Sequence, residues 1–440
     1  MRQLKIHSPL TPQTLTTELL ECAFTTANSM QKKQQCIDIA KICHELALEI
    51  LNKTYTPNLY TRFAVTDPKL REIYAPAFKD RLAQCWLVKY ADPLIERHFI
   101  EDTFANRVNK GSLKAIKRVQ QFMRQPNHSK FLQLDISAFF NSIHRPTLLK
   151  LWLDYLAKFN TGINAELEYI SKGILMQNVS DSPHVMSGSR SLLKQIPDHK
   201  LLHNAGYNTG IPIGSVSSQL FANFYLSPLD HFIKHTLRVK GYTRYMDDLF
   251  LLGDSTAQLN EWKSQIQTFV TEELKLKLHP TKQHLQFCDQ GADYLGYRVY
   301  PHYIHLKKRN VNKLYRYLEF FNRLIEPLDS KNPEESARKI SHIKPPDTMA
   351  WREIIADCYS IYTSKNRQSK MLMFFPHLKR MEATINSYYA LMQHANHYKL
   401  RKTLYHNHFG ILKRYFKQAN SDYFSIKIKK WVMCSIPIRG

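Results

Sequence analysis

Two adjacent carboxylates, Asp247 and Asp248, sit within Arg244-Tyr245-Met246-Asp247-Asp248-Leu249-Phe250-Leu251-Leu252, between aromatic and apolar runs. Side by side, two carboxylates repel each other and lose hydration if buried. A divalent cation removes both costs, so the chemistry the pair points to is a Mg²⁺ site. An ordinary acidic turn is the competing reading, since Asp-Asp pairs are common in turns. The flanks say how the pair would be held. Tyr242 to Tyr245 and Leu249 to Leu252 each read as a short strand, which makes the stretch a hairpin with its acids at the tip.

A third carboxylate lies about 110 residues upstream. Phe131-Leu132-Gln133-Leu134-Asp135-Ile136 alternates as a strand, and Asp135 falls at its end, where it can reach from a sheet edge into a cleft. Two-metal phosphoryl transfer needs ligands on separate strands, so that the cations stand about 4 Å apart. Between the acidic strands, Gly210-Ile211-Pro212-Ile213-Gly214-Ser215 opens an apolar helix through Gln219 and Phe221, a loop that exposes backbone donors and admits a ligand closely. Residues 60–74 read as a hairpin turning at Asp67-Pro68, with Lys69 and Arg71 two apart and so on one face, suited to gripping a triphosphate. Arg107 and Lys110 open a basic loop and helix with Lys114, Lys117, Arg118 and Arg124, while Lys307-Lys308-Arg309 opens a basic helical region; both are candidate nucleic-acid contacts, with a solvated helix face as the plain alternative. His394 and His397 have no Cys or acidic partner nearby, which favours helix packing and phosphate contact over metal ligation.

The elements that must position these residues follow from periodicity and composition. With 440 residues and 43% hydrophobic content, the chain is expected to fold into two or three subdomains with a substantial core. The 62 Lys+Arg against 37 Asp+Glu give a net +25 spread along the chain. That excess calls for a polyanionic partner: nucleic acid first, an anionic membrane surface second, the latter without any basic amphipathic anchor to support it. Seven cysteines without C-x-x-C spacing read as reduced thiols. Met1 to Leu10 lacks an apolar leader core and no run is long enough to span a bilayer, so a soluble, cytoplasmic protein is expected. Helical spacing covers 11–53, with Leu15, Leu19, Ile39, Leu46 and Ile50 on inner faces, and recurs around Trp86, over 112–124 and over 256–275. Residues 165–209 read as a helix and then a polar loop or small insertion, the 256–275 helix leads to His279-Pro280-Thr281-Lys282, and 292–299 reads as turn and strand. Beyond 301 the chain reads as helical to the end (310–326, 349–363, 370–395, 397–417), with a linker at Lys344-Pro345-Pro346.

In this order the motifs resemble those of reverse transcriptases of the bacterial retroelement type, over most of the chain from Lys69 to Lys402. Asp135 with Phe140 resembles the first palm motif, Gly214 to Gln219 the second, Tyr245-Met246-Asp247-Asp248 the catalytic hairpin, and Lys282 and Leu295-Gly296 the two motifs that follow. Ile213-Gly214 and Ser218-Gln219 are most similar to diversity-generating retroelement enzymes, with antiviral defence enzymes as neighbours; Val108-Asn109, 175–209 and 418–440 depart from the pattern. The resemblance implies an α+β right-hand polymerase fold: N-terminal helices and fingers over 1–130, a palm over 131–300 with a fingers insertion near 150–210, and a basic helical thumb and extension over 301–440. It implies RNA-directed DNA synthesis with two Mg²⁺ (Mn²⁺ as substitute) held by Asp135, Asp247 and Asp248 and the Ile136 carbonyl. It further implies Lys282 as proton donor, Lys69 and Arg71 on the triphosphate, Phe140 excluding a 2′-hydroxyl, and Gln219 at the sugar or new base pair. The implied partners are an RNA template, a DNA primer or product and dNTPs, together with a structured non-coding RNA or accessory protein, as a homo- or hetero-oligomer, and no membrane. A ribonucleotide polymerase on the same palm, an unusually templated defence polymerase and a non-catalytic RNA-binding scaffold are the alternatives.

Overall fold

A computed structural model of the chain describes residues 10–26, 36–66, 69–329, 367–421 and 423–434, with 354, 355, 357, 358 and 361 between them. The Asp67-Pro68 turn, the Lys344-Pro345-Pro346 linker, much of the expected 349–363 helix and nearly all of Met1 to Leu10 lie outside the described residues. The chain divides into two compact units, Met1–Phe287 and Cys288–Gly440.

In the first unit, helices α1 (Pro12–Thr26) and α2 (Cys36–Leu51) pack together and on α3 (Phe78–His98). The periodic residues Leu15, Leu19, Leu46 and Ile50 are fully buried with Trp86, whose indole N–H donates to Glu18 at 2.7 Å. Strands β1 (Tyr60–Val65) and β2 (Arg71–Pro76) form the expected hairpin. Lys69, however, precedes β2 and does not share its pleat with Arg71. Three elements then lead to the sheet: α4 (Ser112–Met123), β3 (Lys130–Ile136) and α5 (Arg145–Leu156). After α6 (Asn164–Met176), the stretch expected to be a loop or small insertion supplies β4 (His184–Met186), which joins β1 in parallel. Buried Glu72 anchors a later part of the same stretch to the hairpin: it accepts from Arg62 Nε at 2.7 Å and from the Leu202 N–H at 2.7 Å. Three residues are too few for an alternating pattern to declare itself, and the polar surroundings hid the strand.

Helices α7 (Val216–Tyr225) and α8 (Ser227–His231) lead to the hairpin of β5 (Gly241–Tyr245) and β6 (Asp248–Gly253), then to α9 (Thr256–Glu272) and β7 (Leu278–Phe287). Strands β5, β6, β3 and β7 lie in that order in one antiparallel sheet. From Leu249 on, β6 is buried along its length, which explains its unbroken Leu-Phe-Leu-Leu run. Phe131 and Phe250 stack across β3 and β6 at 5.2 Å. Helix α9 covers one side with Leu259, Ile266 and Val270. β7 takes in His279 to Lys282, for which the sequence offers no strand pattern. It is the edge strand of the sheet, largely exposed, so it is polar and tolerates Pro280.

In the second unit, β8 (Ala292–Tyr294), β9 (Tyr297–Val299) and β10 (Ile304–Leu306) form an antiparallel sheet. Leu295 (φ 44°) and Gly296 (φ 92°) make the turn between β8 and β9, both in the left-handed region as a primed hairpin turn requires. Helix α10 (Lys308–Ile325) buries Leu314, Leu318, Phe321 and Leu324, and α11 (Arg367–Gln393) and α12 (Tyr398–Thr403) follow. The chain does not stay helical to its end: β11 (Phe416–Gln418) pairs with β12 (Ile426–Ile428). Asn386 on α11 holds β12, accepting the Ile426 N–H at 2.8 Å and donating to the Ile426 carbonyl at 3.0 Å. His397 accepts the Leu306 N–H at 2.7 Å, so its ring is a neutral packing element that secures β10. No helix among the described residues is long and apolar enough to cross a membrane, and Cys22, Cys43, Cys85, Cys288 and Cys358 are free thiols.

Candidate active site

Strand pairing brings the three acids together. Leu134 pairs with Leu249, so Asp135 and Asp248, one step further along each strand, emerge side by side from the sheet. Tyr245 pairs with Asp248, leaving Met246 and Asp247 as the two-residue turn. Met246 has φ 56°, as the first residue of a primed turn requires, which costs a non-glycine residue about 1–3 kcal/mol. On the other flank, the β3–β7 register shifts between Leu134 and Ile136, and this irregularity sits at Asp135. Such bulges re-aim a side chain. Asp135 is 8% exposed and forms an ion pair with Lys282 of β7. Asp248 is exposed and Asp247 half-buried. The Asp247 carboxyl is pushed up to about 7, first by burial, then by the charges of Asp248 and Asp135. The cluster is therefore short of positive charge. Among the described residues, no group of three or more His, Cys, Asp or Glu side chains is already gathered as a metal-holding set.

Ile136 and Phe140 follow Asp135 in the chain, and a loop links them to the elements that carry Gln219 and Arg71. Ile136 is buried and closes β3, and the Ser137 N–H donates to the Lys277 carbonyl at 2.9 Å. Ala138, at φ 43°, then turns the chain sharply into a helical turn, Phe139–Ser142. Phe140 is half-buried there, its ring 5.6 Å from that of Phe139. Its carbonyl accepts the Ile211 N–H at 2.9 Å, which docks the Gly210–Gly214 loop against it. At the loop's far end, Tyr74 of β2 donates to the Ile213 carbonyl at 2.8 Å. One loop thus connects the β1–β2 hairpin to the turn that follows Asp135. Ser215 Oγ donates to Gln84 of α3 at 2.5 Å, anchoring the start of α7, and Gln219 is exposed on that helix. Lys69 and Arg71 are exposed and make no ion pair among the described residues.

Two expected nucleic-acid contacts are not free cations. The Arg107 side chain is 5% exposed. Its Nε donates to Glu96 at 2.9 Å, and its Nη1 to the Ile100 and Thr103 carbonyls at 2.6 and 2.7 Å. That guanidinium closes its own loop and has no surface donor for a phosphate. Lys110 pairs with Glu101. In the second unit, Lys307 is 3.5 Å from Asp293, while Lys308 and Arg309 are exposed.

Residues 66–299 match the family model described as reverse transcriptase (RNA-dependent DNA polymerase). The chain belongs to that family. The fold is accordingly the α+β right-hand polymerase fold, and reverse transcriptase domains use divalent cations. Among curated proteins the reverse transcriptase chain is similar to Protein YkfC of Escherichia coli (strain K12), 21% identical over 301 residues that span 59% of this chain and 72% of that one. Among solved structures it is similar to apo telomerase of Candida tropicalis, with TM-score 0.42, 8% identity, and 79% of this chain and 60% of that one covered. A form of that telomerase truncated from its C-terminal domain gives TM-score 0.40, 10% identity, 61% and 60%. Telomerase of Candida albicans in complex with a TWJ fragment of telomeric RNA gives TM-score 0.35, 11% identity, 77% and 66%. The reverse transcriptase chain spans 60% of the length of the two Candida tropicalis telomerase chains.

The sequence reading passed over one group at this site. Arg244, Asp230 and Asn223 are buried directly behind the acidic turn. Part of the signal was present: Arg244 interrupts an otherwise uncharged buried strand, out of place unless it meets an acid.

Proposed function

We propose that this chain is an RNA-directed DNA polymerase whose nucleotidyl transfer takes place at Asp135, Asp247 and Asp248. The observation that carries the reading is the convergence of the three carboxylates from adjacent strand ends, with Asp247 held above the usual carboxylate range by the burial and charge around it. Oxygen donors short of positive charge suit hard divalent cations, so Asp135, Asp247, Asp248 and the Ile136 carbonyl would hold two Mg²⁺, with Mn²⁺ as a substitute. Bound there, the cations supply the Lewis-acid chemistry of phosphoryl transfer, activating the primer 3′-hydroxyl and stabilising the leaving pyrophosphate. The chain's own groups do the rest. Lys69 and Arg71 reach from the β1–β2 hairpin to neutralise the triphosphate. Phe140 lies under the sugar and excludes a 2′-hydroxyl by contact. Gln219 meets the sugar or the nascent pair. Lys282, already on Asp135, moves between that carboxylate and the departing pyrophosphate, to which it gives its proton. Fingers, palm and thumb are assigned to 1–130, 131–300 and 301–440, with Lys307, Lys308 and Arg309 on nucleic-acid phosphates.

The motif likeness supports a prokaryotic retroelement of the diversity-generating type as the setting, with antiviral defence as the alternative, and a structured RNA or accessory protein as partner. Primer extension on an RNA template tests the activity. Deoxynucleotides are expected to be incorporated and ribonucleotides rejected, with Asp247→Asn and Asp248→Asn below detection at a melting temperature no lower than that of wild type. Wild-type rates in either variant would refute the site. Sequencing the RNA that co-purifies decides the setting.

A further inference from the structure

Behind the acidic turn lies a buried polar hub that none of these proposed steps uses. Arg244 and Asp230 are both 0% exposed. Arg244 donates to Asp230 through Nε at 2.7 Å and through Nη2 at 2.6 Å. Its Nη1 donates to Asn223 Oδ1 at 2.7 Å and to the Met246 carbonyl at 3.0 Å. Asp230 also accepts from Tyr242 at 2.7 Å and Thr103 at 3.0 Å. Asn223 donates to the Ala105 carbonyl at 2.9 Å. The Arg244 main chain pairs with the same segment, donating to the Asp102 carbonyl and accepting from the Phe104 N–H, each at 3.0 Å.

A buried ion pair is a poor device for stability alone, since apolar residues of equal volume often serve as well. An apolar pair could not, however, donate to Met246, whose positive φ needs the surroundings to impose it. Nor could it tie the β5–β6 turn, α7 and α8 to a single planar group. Arginine's fixed fork can do this; lysine's point charge cannot.

We infer that Arg244, Asp230 and Asn223 are positioning residues that fix the Met246–Asp248 turn relative to helix α7, and so set Asp247 relative to Gln219. The catalytic consequence rests on the polymerase reading; the geometric one does not. Arg244→Lys keeps the charge and removes the fork. The expected result is faster amide hydrogen exchange by about tenfold or more, confined to Asp247, Asp248 and Leu249. With it, kcat should fall by about 100-fold, the scale of a misplacement of roughly 1 Å, with the dNTP KM within about twofold of wild type. If Arg244→Lys does not fold, Asn223→Ala, which leaves the Arg244–Asp230 pair intact, is expected to show the same pattern at about 3- to 10-fold. Exchange at the turn as slow as in wild type overturns the inference, whether or not the protein polymerises. Wild-type protein that extends no primer refutes the polymerase reading instead and leaves exchange to decide on the hub.

Discussion

Two hairpins carry the proposed chemistry, and they are held in opposite ways. In β5–β6, nearly every residue is buried and a guanidinium reaches the turn itself. In β1–β2, most residues are only half-buried, and the third strand of that sheet is three residues long. The first presents short carboxylates, which must stand at fixed separations to share cations. The second presents Lys69 and Arg71, long side chains whose reach tolerates play in the backbone beneath them. Rigidity is concentrated where the side chain is short and omitted where it is long.

The Gly210–Gly214 loop joins the β1–β2 hairpin to the turn that follows Asp135, on the strand paired with β6, and breaking that joint should give the largest effect. Gly214 has φ 123°, and a Cβ there would lie 2.7 Å from Ile73 Cγ2 and 2.8 Å from the Tyr74 carbonyl. The carbonyl belongs to β2 and cannot rotate away. Gly214→Ala is expected to lower stability by about 3 kcal/mol, from overpacking and backbone strain together, and to raise the dNTP KM because β2 is displaced. Thermal unfolding and steady-state kinetics measure both; a variant that melts like wild type would show that the joint is soft.

A smaller effect isolates the less buried side of the comparison. Lys69→Ala and Arg71→Ala should each raise the dNTP KM about tenfold, worth about 1.4 kcal/mol, with a lesser change in kcat. Both residues are exposed, so stability should stay within about 0.5 kcal/mol of wild type. A drop in melting temperature with unchanged KM would make them structural, and the β1–β2 hairpin would then have no demonstrated part in the reaction.

The same contrast governs what could be read from sequence. The β5–β6 hairpin was legible because burial forced an apolar run on either side of the acids, and Asp135 because its strand alternates. β7 was missed because an edge strand facing water has no reason to be apolar, and β4 and β12 because three residues carry no period. Lys69 was placed on the strand by parity alone, but β2 begins at Arg71. Arg107's pairing was illegible for a deeper reason: composition counts a cation without saying whether its charge is already matched, and Glu96 matches this one. The hub escaped for the same reason, since Arg244, Asp230 and Asn223 are separated in sequence and acquire meaning only when the fold closes them on one another.

The smallest effect probes the scaffold behind the rigid hairpin. The His98 ring lies 4.6 Å from Tyr155, 5.6 Å from Phe224 and 4.7 Å from His231, while His231 Nε2 donates to the His98 carbonyl at 2.9 Å. Phe224 and His231 directly follow Asn223 and Asp230 in the chain, so His98 packs against the elements that carry the hub. Burial first, then the charges of His231 and Lys158, push the His98 imidazole down to about 4, against a weaker pull from Asp230. Unfolded, the same ring takes a proton near 6.5. Between those values the unfolded chain binds more protons than the folded one, so this contribution is complete above about 6.5 and is lost as pH falls toward about 4. One group limits the slope to about 1.4 kcal/mol per pH unit. His98→Phe keeps the ring packing and removes the titration. Its melting temperature should therefore fall less than that of wild type between pH 7 and pH 5, with the two proteins differing least at pH 7. Hydrogen exchange at pH 5 sharpens the point: wild-type protein should loosen at α7 and α8, which carry Phe224 and His231, relative to pH 7, whereas β1–β2 should exchange no faster than the change in pH itself dictates. Parallel melting curves for the two proteins would mean that the imidazole is solvated in the folded state and that the acid sensitivity of the rigid side lies elsewhere.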